Sequence, residues 1–162
     1  MAGGRAFAQG RLASRDSRDT SVARCGLGAA RSTRAVFDHA NTIIGHAAIV
    51  IRNATWDDQA VKIGGIGGVA TRDDHRRRGV ARAAVAKGIE EIHLAHNADF
   101  GLLFCEPRHA PLYQKLGWRP FEGDVLVMQP RGQVRFDVTD PYVFDLKTAP
   151  RTGVLDLRGL PW

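Results

Sequence analysis

An α/β domain, with one long helix packed across a sheet, is the fold class this sequence predicts, and three observations carry the prediction. Residues 62–82, KIGGIGGVATRDDHRRRGVAR, read as a strand, a charged turn and the start of a helix, with glycines at both joints. The helix that follows is amphipathic. Residues 100–105, FGLLFC, form a short continuous apolar run, the pattern of a strand buried on both faces. At 162 residues the chain is long enough for one compact core and short for two.

Taken in order, residues 1–34 are rich in Ala, Gly, Arg and Ser and keep neither a strand nor a helix period. They are expected to be a poorly structured or divergent leader, with the folded domain spanning 35–162. From Ala35 the chain becomes dense in β-branched and apolar residues and predicts two antiparallel strands, 35–44 and 46–56, broken at Gly45. Trp56 to Gln59 make a turn, and a third strand runs over 60–71. The four glycines inside it, Gly64, Gly65, Gly67 and Gly68, predict a bulge or a close approach to the backbone.

Asp73 and Asp74 are candidate caps for the next helix, placed from Arg78 or Gly79 to His96. Ala81, Val85, Ile89 and Ile92 form its apolar stripe, while Arg82, Lys87, Glu90 and Glu91 are expected in water. After the buried strand a second helix is predicted over 108–116, with Pro111 in its first turn and Gly117 as its stop. Further strands are expected over 118–121, 123–128, in QVRFDV and in YVFDL. A tail then leads to Trp162.

The net charge of +6 suggests a nucleic-acid partner until it is placed along the chain. Residues 1–34 hold seven arginines against two aspartates, so this segment carries +5 and the other 128 residues only +1. The arginines are scattered and Phe7 is the lone aromatic among them, so nucleic acid is not expected as a partner. No run approaches the roughly 20 apolar residues of a membrane helix, and the first residues lack the apolar core of a secretory signal. A cytoplasmic protein is expected, with Cys25 and Cys105 as free thiols and no membrane contact or metal. A homodimer is compatible with this reading.

Backbone N–H groups at a helix start, with Arg76, Arg77 and Arg78 beside them, make a ready diphosphate site because unpaired donors and the helix dipole both favour negative charge. No G-x-x-x-x-G-K-[ST] run offers the other common phosphate loop. Strand, R-x-x-G-x-A, helix, strand, then L-Y-x-x-x-G-W: this order resembles the GNAT superfamily of acetyl-CoA-dependent N-acetyltransferases. The matching residues are Val69-Ala70-Thr71, Arg76 through Ala81, Leu112-Tyr113 and Gly117-Trp118. The resemblance implies the GNAT fold, an α+β arrangement of a mixed, mostly antiparallel sheet flanked by helices.

It also implies roles. Acetyl-CoA would be the co-substrate, its pyrophosphate held by the amides of Arg76, Arg77, Arg78, Gly79, Val80 and Ala81. The strand edge at Val69, Ala70 and Thr71 would pair with pantetheine, as an added strand pairs with an open sheet edge. Tyr113 matches the tyrosine that many GNAT enzymes use as the acid toward the CoA sulfur. Glu106 is the best-placed carboxylate for a base, with His46, His109 and a water chain as alternatives.

Within the superfamily, GHAAIV, GGVATR, LYQKLGW-x-P, YVFDL and the terminal Trp162 resemble the aminoglycoside 2'-N-acetyltransferases over residues 43–162. That resemblance implies a small-molecule amine acceptor, held near Gly67 and Gly68 and by Asp137, Asp140 and the carboxylate of Trp162. Two positions depart from it: Gly67 stands where that family has Glu, and Leu160 where it has Asp. Another amine, a protein N-terminus, or a non-catalytic module binding CoA or nucleic acid are the competing readings.

Overall fold

The computed structural model describes residues 21–26 and 31–162, with side chains from Ser32 onward. The strands are β1 (Ser21–Gly26), β2 (Arg31–Phe37), β3 (Ile43–Trp56), β4 (Gln59–Thr71), β5 (Phe100–Cys105), β6 (Arg119–Pro120), β7 (Asp124–Gln129), β8 (Gly132–Arg135), β9 (Asp140–Asp145) and β10 (Val154–Asp156). Among the described residues the α-helices are α1 (Val80–Leu94) and α2 (Ala110–Lys115), with 3-10 turns at Asp73–His75 and Pro107–His109. The sheet runs β6-β9-β5-β4-β3-β10-β7-β8, with β2 on the first half of β3 and β1 beyond it. Among the described residues only β4–β5 and β7–β10 pair in parallel; the other ladders are antiparallel. It is the mixed, mostly antiparallel α+β sheet that the sequence led one to expect.

Each face of the sheet carries its own core. α1 and α2 cover one face, where Val85 and Ile92 meet Ile49, Ile66 and Leu103. On the other face Ile63, Phe100 and Leu102 pack with Val125, Val143 and Leu155. β5 is therefore covered on both sides, and that is why its sequence shows no alternation. Burial of Phe100, Leu102 and Leu103 contributes on the order of 1.5–3 kcal/mol each.

Several expected boundaries are corrected. The first hairpin turns at Asp38–Thr42 rather than at Gly45: the Asp38 carboxylate accepts the amides of Ala40 and Thr42, and Asn41 takes φ +59°. Gly45 lies inside β3, where a Cβ would run into Val80 of α1. The sheet also starts before residue 35, since β1 and the first part of β2 fall in the segment expected as a leader. Ser32 and Arg34 point at α1 along with Val36, so polar partners hide the strand's alternation. Residues 1–20 and 27–30 of that segment lie outside the described residues. Glu91, expected in water, is buried on α1 against Ser32 and Arg34. β10, three residues long, lies in the stretch expected as a tail.

Candidate functional site

β4 keeps β3 beside it to Thr71 but pairs with β5 only over residues 63–66. Past Ile66 and Leu103 the two strands part, so residues 67–71 present a sheet edge with no strand on the β5 side among the described residues. Such an edge offers a row of unpaired amides and carbonyls to an extended ligand. A bulge sits at its start: Gly68 and Val69 together face Ala47, because Gly67 is opposite Ala48 and Ala70 opposite His46. Gly68 takes φ +52°, a value that favours glycine. The glycine-rich stretch thus contains the expected bulge.

The edge leads into the charged turn. Arg72 grips Asp74 with two bonds of 2.7 and 2.6 Å, and the His75 ring lies 2.8 Å from the same carboxylate. These two partners, Arg72 first, hold the Asp74 carboxyl well below its usual range. Asp73 pairs with Arg76 at 2.7 Å. Neither aspartate caps α1, which corrects the expectation: both lie too far ahead of the helix and are engaged by the turn's own cations. The N-cap is Gly79, with φ +81° and no side-chain bond to the helix.

The first intrahelical bond runs from Ala83 N–H to Gly79 C=O, 2.9 Å. The N–H groups of Gly79, Val80, Ala81 and Arg82 therefore precede the helical ladder. A Cβ on Gly79 would meet nothing within 4 Å, so its backbone faces open space. Arg77, at φ +60°, and Arg78 are exposed and make no ion pair among the described residues. Thr71, the last residue of β4, has a buried Oγ1 with no hydrogen-bond partner. Donors, positive charge and an orphaned hydroxyl thus gather where the open edge ends. An anion with a strand-like arm fits that arrangement.

Tyr113 projects from α2 into the same face of the sheet and is buried beside Cys105, at the end of β5. Burial, and secondarily the Cys105 thiol, raise its phenol above the ordinary tyrosine value. Glu106 is exposed and turned outward to Arg108, 2.7 Å away. His109 is exposed. His46, opposite Ala70 across the bulge, is half-buried, and its Nδ1 has no partner.

The residues expected to meet the acceptor are divided. Asp140 stands opposite Cys105 on β9, on the α2 side of the sheet. Trp162 lies on the opposite face, against Phe104. Asp137 is exposed in the segment between β8 and β9. Gly67 is covered by the Trp162 ring, whose Cδ1 would lie 2.7 Å from an added Cβ.

Residues 7–121 match the family described as acetyltransferase (GNAT) domain. The chain belongs to the GNAT acetyltransferase family. An aminoglycoside 2'-N-acetyltransferase of Mycolicibacterium fortuitum is 32% identical over 116 residues, which are 72% of this chain and 58% of that relative. The chain thus spans less than two thirds of the length of the curated relative it matches. Among solved structures, a GNAT-family N-acetyltransferase of Escherichia coli in complex with CoA superposes with a TM-score of 0.57 at 16% identity, covering 78% of this chain and 67% of that one. The ribosomal-protein-S18-alanine N-acetyltransferase of Escherichia coli gives 0.53 at 14% identity, over 76% and 74%. These two share the GNAT fold with this chain. No helix among the described residues is long and apolar enough to cross a membrane.

In this GNAT domain, sequence reasoning missed the surroundings of Trp162. Arg52 lies over the indole, 5.3 Å from its centroid, and Phe104 packs at 5.6 Å. Gly65 shares the slot with Gly67. The signal was present: two glycines two apart on a strand leave a trough on one face.

Proposed function

We propose that this protein transfers acetyl from acetyl-CoA to a primary amine of a small molecule, with aminoglycosides acetylated at the 2'-nitrogen as the first acceptor class. One observation carries the reading: the open β4 edge leads through the charged turn to a helix start that has no side-chain cap, with N–H groups ahead of the helical ladder and with Arg77 and Arg78 outside any ion pair among the described residues. The residues fit the co-substrate. Val69, Ala70 and Thr71 would pair with its amide-bearing arm. Gly79, Val80 and Ala81, with Arg77 and Arg78, would hold its diphosphate, and Arg76 would share its charge with Asp73. The parting of β4 and β5 beside Gly68 would leave room for the thioester.

Acetyl-CoA supplies an acyl group activated as a thioester. Acceptor nitrogen and carbonyl carbon would be joined as the carbon–sulfur bond breaks; the amine loses a proton and the leaving sulfur gains one. Tyr113, protonated and buried, is the donor to that sulfur, a role worth roughly 10²- to 10⁴-fold. Holding both reactants where β4 and β5 part would contribute further acceleration. Glu106, paired to Arg108 at the surface, would have to release that arginine to act as a base.

The aminoglycoside reading rests on the Mycolicibacterium relative and on the run of shared segments. A screen of amines that includes aminoglycosides, polyamines and peptide N-termini tests it by thiol release from acetyl-CoA. Turnover with an aminoglycoside, and acetyl located on the 2'-nitrogen, is the expected result. Thiol release only with peptides or polyamines would redirect the acceptor, and none with any amine would remove the enzymatic reading.

A further inference from the structure

We infer that the Trp162 indole is a positioning residue: it pins the fork where β4 and β5 separate, and so fixes the strand edge on which the thioester would lie. The inference rests on the reading of that fork as the transfer site. Four contacts carry it. The indole Nε1–H donates to the Ile66 carbonyl at 3.2 Å, and Ile66 is the last β4 residue in register with β5.

The Ile66 carbonyl points toward β5. Lys62, four residues earlier on the same strand, turns both its N–H and its C=O to Asp99 on that side, and strand groups four apart point alike. The ring lies over Gly65 and Gly67, on either side of Ile66, where an added Cβ would collide with it. It also packs on Phe104, the first β5 residue past the paired segment, at 5.6 Å between centroids.

One side chain thus touches both arms of the fork at the residue where pairing stops. It is itself held in place. The Arg52 guanidinium stacks 5.3 Å from its centroid and donates to the Leu160 carbonyl at 2.5 Å, tying the segment that carries Trp162 to β3. Phe136 backs Phe104 at 4.6 Å. An aromatic ring needs a trough this deep to lie flat on a strand, and glycine at both 65 and 67 provides it. An indole further requires a carbonyl to accept its N–H when half-buried. The site meets both needs at once.

The bulge at Gly68 follows directly, so any drift of the fork displaces the residues that would face the reacting carbonyl. A displacement of about 1 Å there costs on the order of 10²-fold in rate. Binding of the diphosphate, at the far end of the edge beside Gly79, should be little affected.

Trp162→Ala and Trp162→Phe separate the ring from its N–H. The expected result is a kcat lower by at least tenfold in Trp162→Ala and intermediate in Trp162→Phe, with acetyl-CoA Kd within threefold of the parent in both. Amide hydrogen exchange supplies a readout independent of activity: Gly67, Gly68 and Phe104 should exchange about tenfold faster in Trp162→Ala, with the α1 amides unchanged. Parent-like exchange at these three amides in a folded Trp162→Ala protein would overturn the inference. So would parent-like kcat in that variant, a Trp162→Phe protein equal to the parent, or one as impaired as Trp162→Ala. If the parent binds no acetyl-CoA, the transfer reading fails, and the exchange result still decides whether the indole pins the fork.

Discussion

The Arg34 guanidinium of β2 lies 2.5 Å from the carboxylate of Glu91 on α1, whose side chain is 1% exposed. Ser32 Oγ donates to the same carboxylate at 3.0 Å, and His96 Nε2 approaches to 3.5 Å. A charge this deep is costly without partners, so removing one side of the pair should destabilise the fold by about 3–5 kcal/mol. That is a large part of the 5–15 kcal/mol typical of a domain. Glu91→Ala should therefore lower the urea midpoint sharply at an unchanged m-value. A loss under about 1 kcal/mol would mean that this ion pair does not fasten β2 to the helix.

Gly79 is the second test. Its φ of +81° is strained for any side chain, and a β-branched one there costs on the order of 1–3 kcal/mol. The protein itself leaves room, since an added Cβ meets nothing within 4 Å. Gly79→Val should thus fold but lose acetyl-CoA binding by at least 30-fold, because the methyls would stand where the diphosphate meets the amides of Val80 and Ala81. Calorimetry measures it directly, and an unchanged Kd would show that the helix start is not the diphosphate site.

How much of this was legible depended on whether a residue's partners are close in sequence. Phe100–Cys105 could be read because both faces of β5 are buried, so the run is uniformly apolar. The turn from Arg76 to Ala81 could be read because its cue, arginines and a glycine just ahead of an amphipathic helix, lies within a few consecutive residues. Gly45 misled because glycine looks like a break, whereas here it makes room for Val80 across the sheet. Glu91 misled because Arg34 and Ser32, which hold its carboxylate against β2, sit 57 and 59 residues earlier. β10 left no trace because a three-residue strand between β3 and β7 has no period to show. Trp162 was singled out for its carboxylate, while its indole's seat on Gly65 and Gly67 is set by a contact 96 residues away.

Cys105 offers a chemical check on how closed the end of β5 is. Burial, and secondarily Asp140, push its thiol up to about 11, against 9.0 for a free one. The thiolate is the reactive form, and its fraction falls tenfold for each step in pKa. At pH 7.5, in a Cys25→Ser background, native Cys105 should react with iodoacetamide about 100-fold more slowly than an exposed thiol. Unfolding in guanidinium should restore the ordinary rate. Fast labelling of the folded protein would place the Cys105 sulfur in solvent and weaken the case that its neighbour Tyr113 is shielded from water.

Tyr113→Phe removes one oxygen from that buried position. It should lower kcat by roughly 10²-fold, at the low end for an acid catalyst, with little change in acetyl-CoA affinity, because the phenol would meet only the leaving sulfur. The pH profile carries the sign. The Tyr113 hydroxyl must be protonated to act, and burial raises its pKa above the ordinary value of 10.0. Its loss of activity should therefore appear only above pH 10, and that alkaline limb should vanish in the Phe variant. The same raised value contributes stability that is fully present below pH 10 and is lost as pH rises through the folded-state pKa. The parent should thus lose more stability than Tyr113→Phe between pH 9.5 and the folded-state pKa. A Phe variant with parental kcat would leave Tyr113 as a packing residue and require another donor to the sulfur.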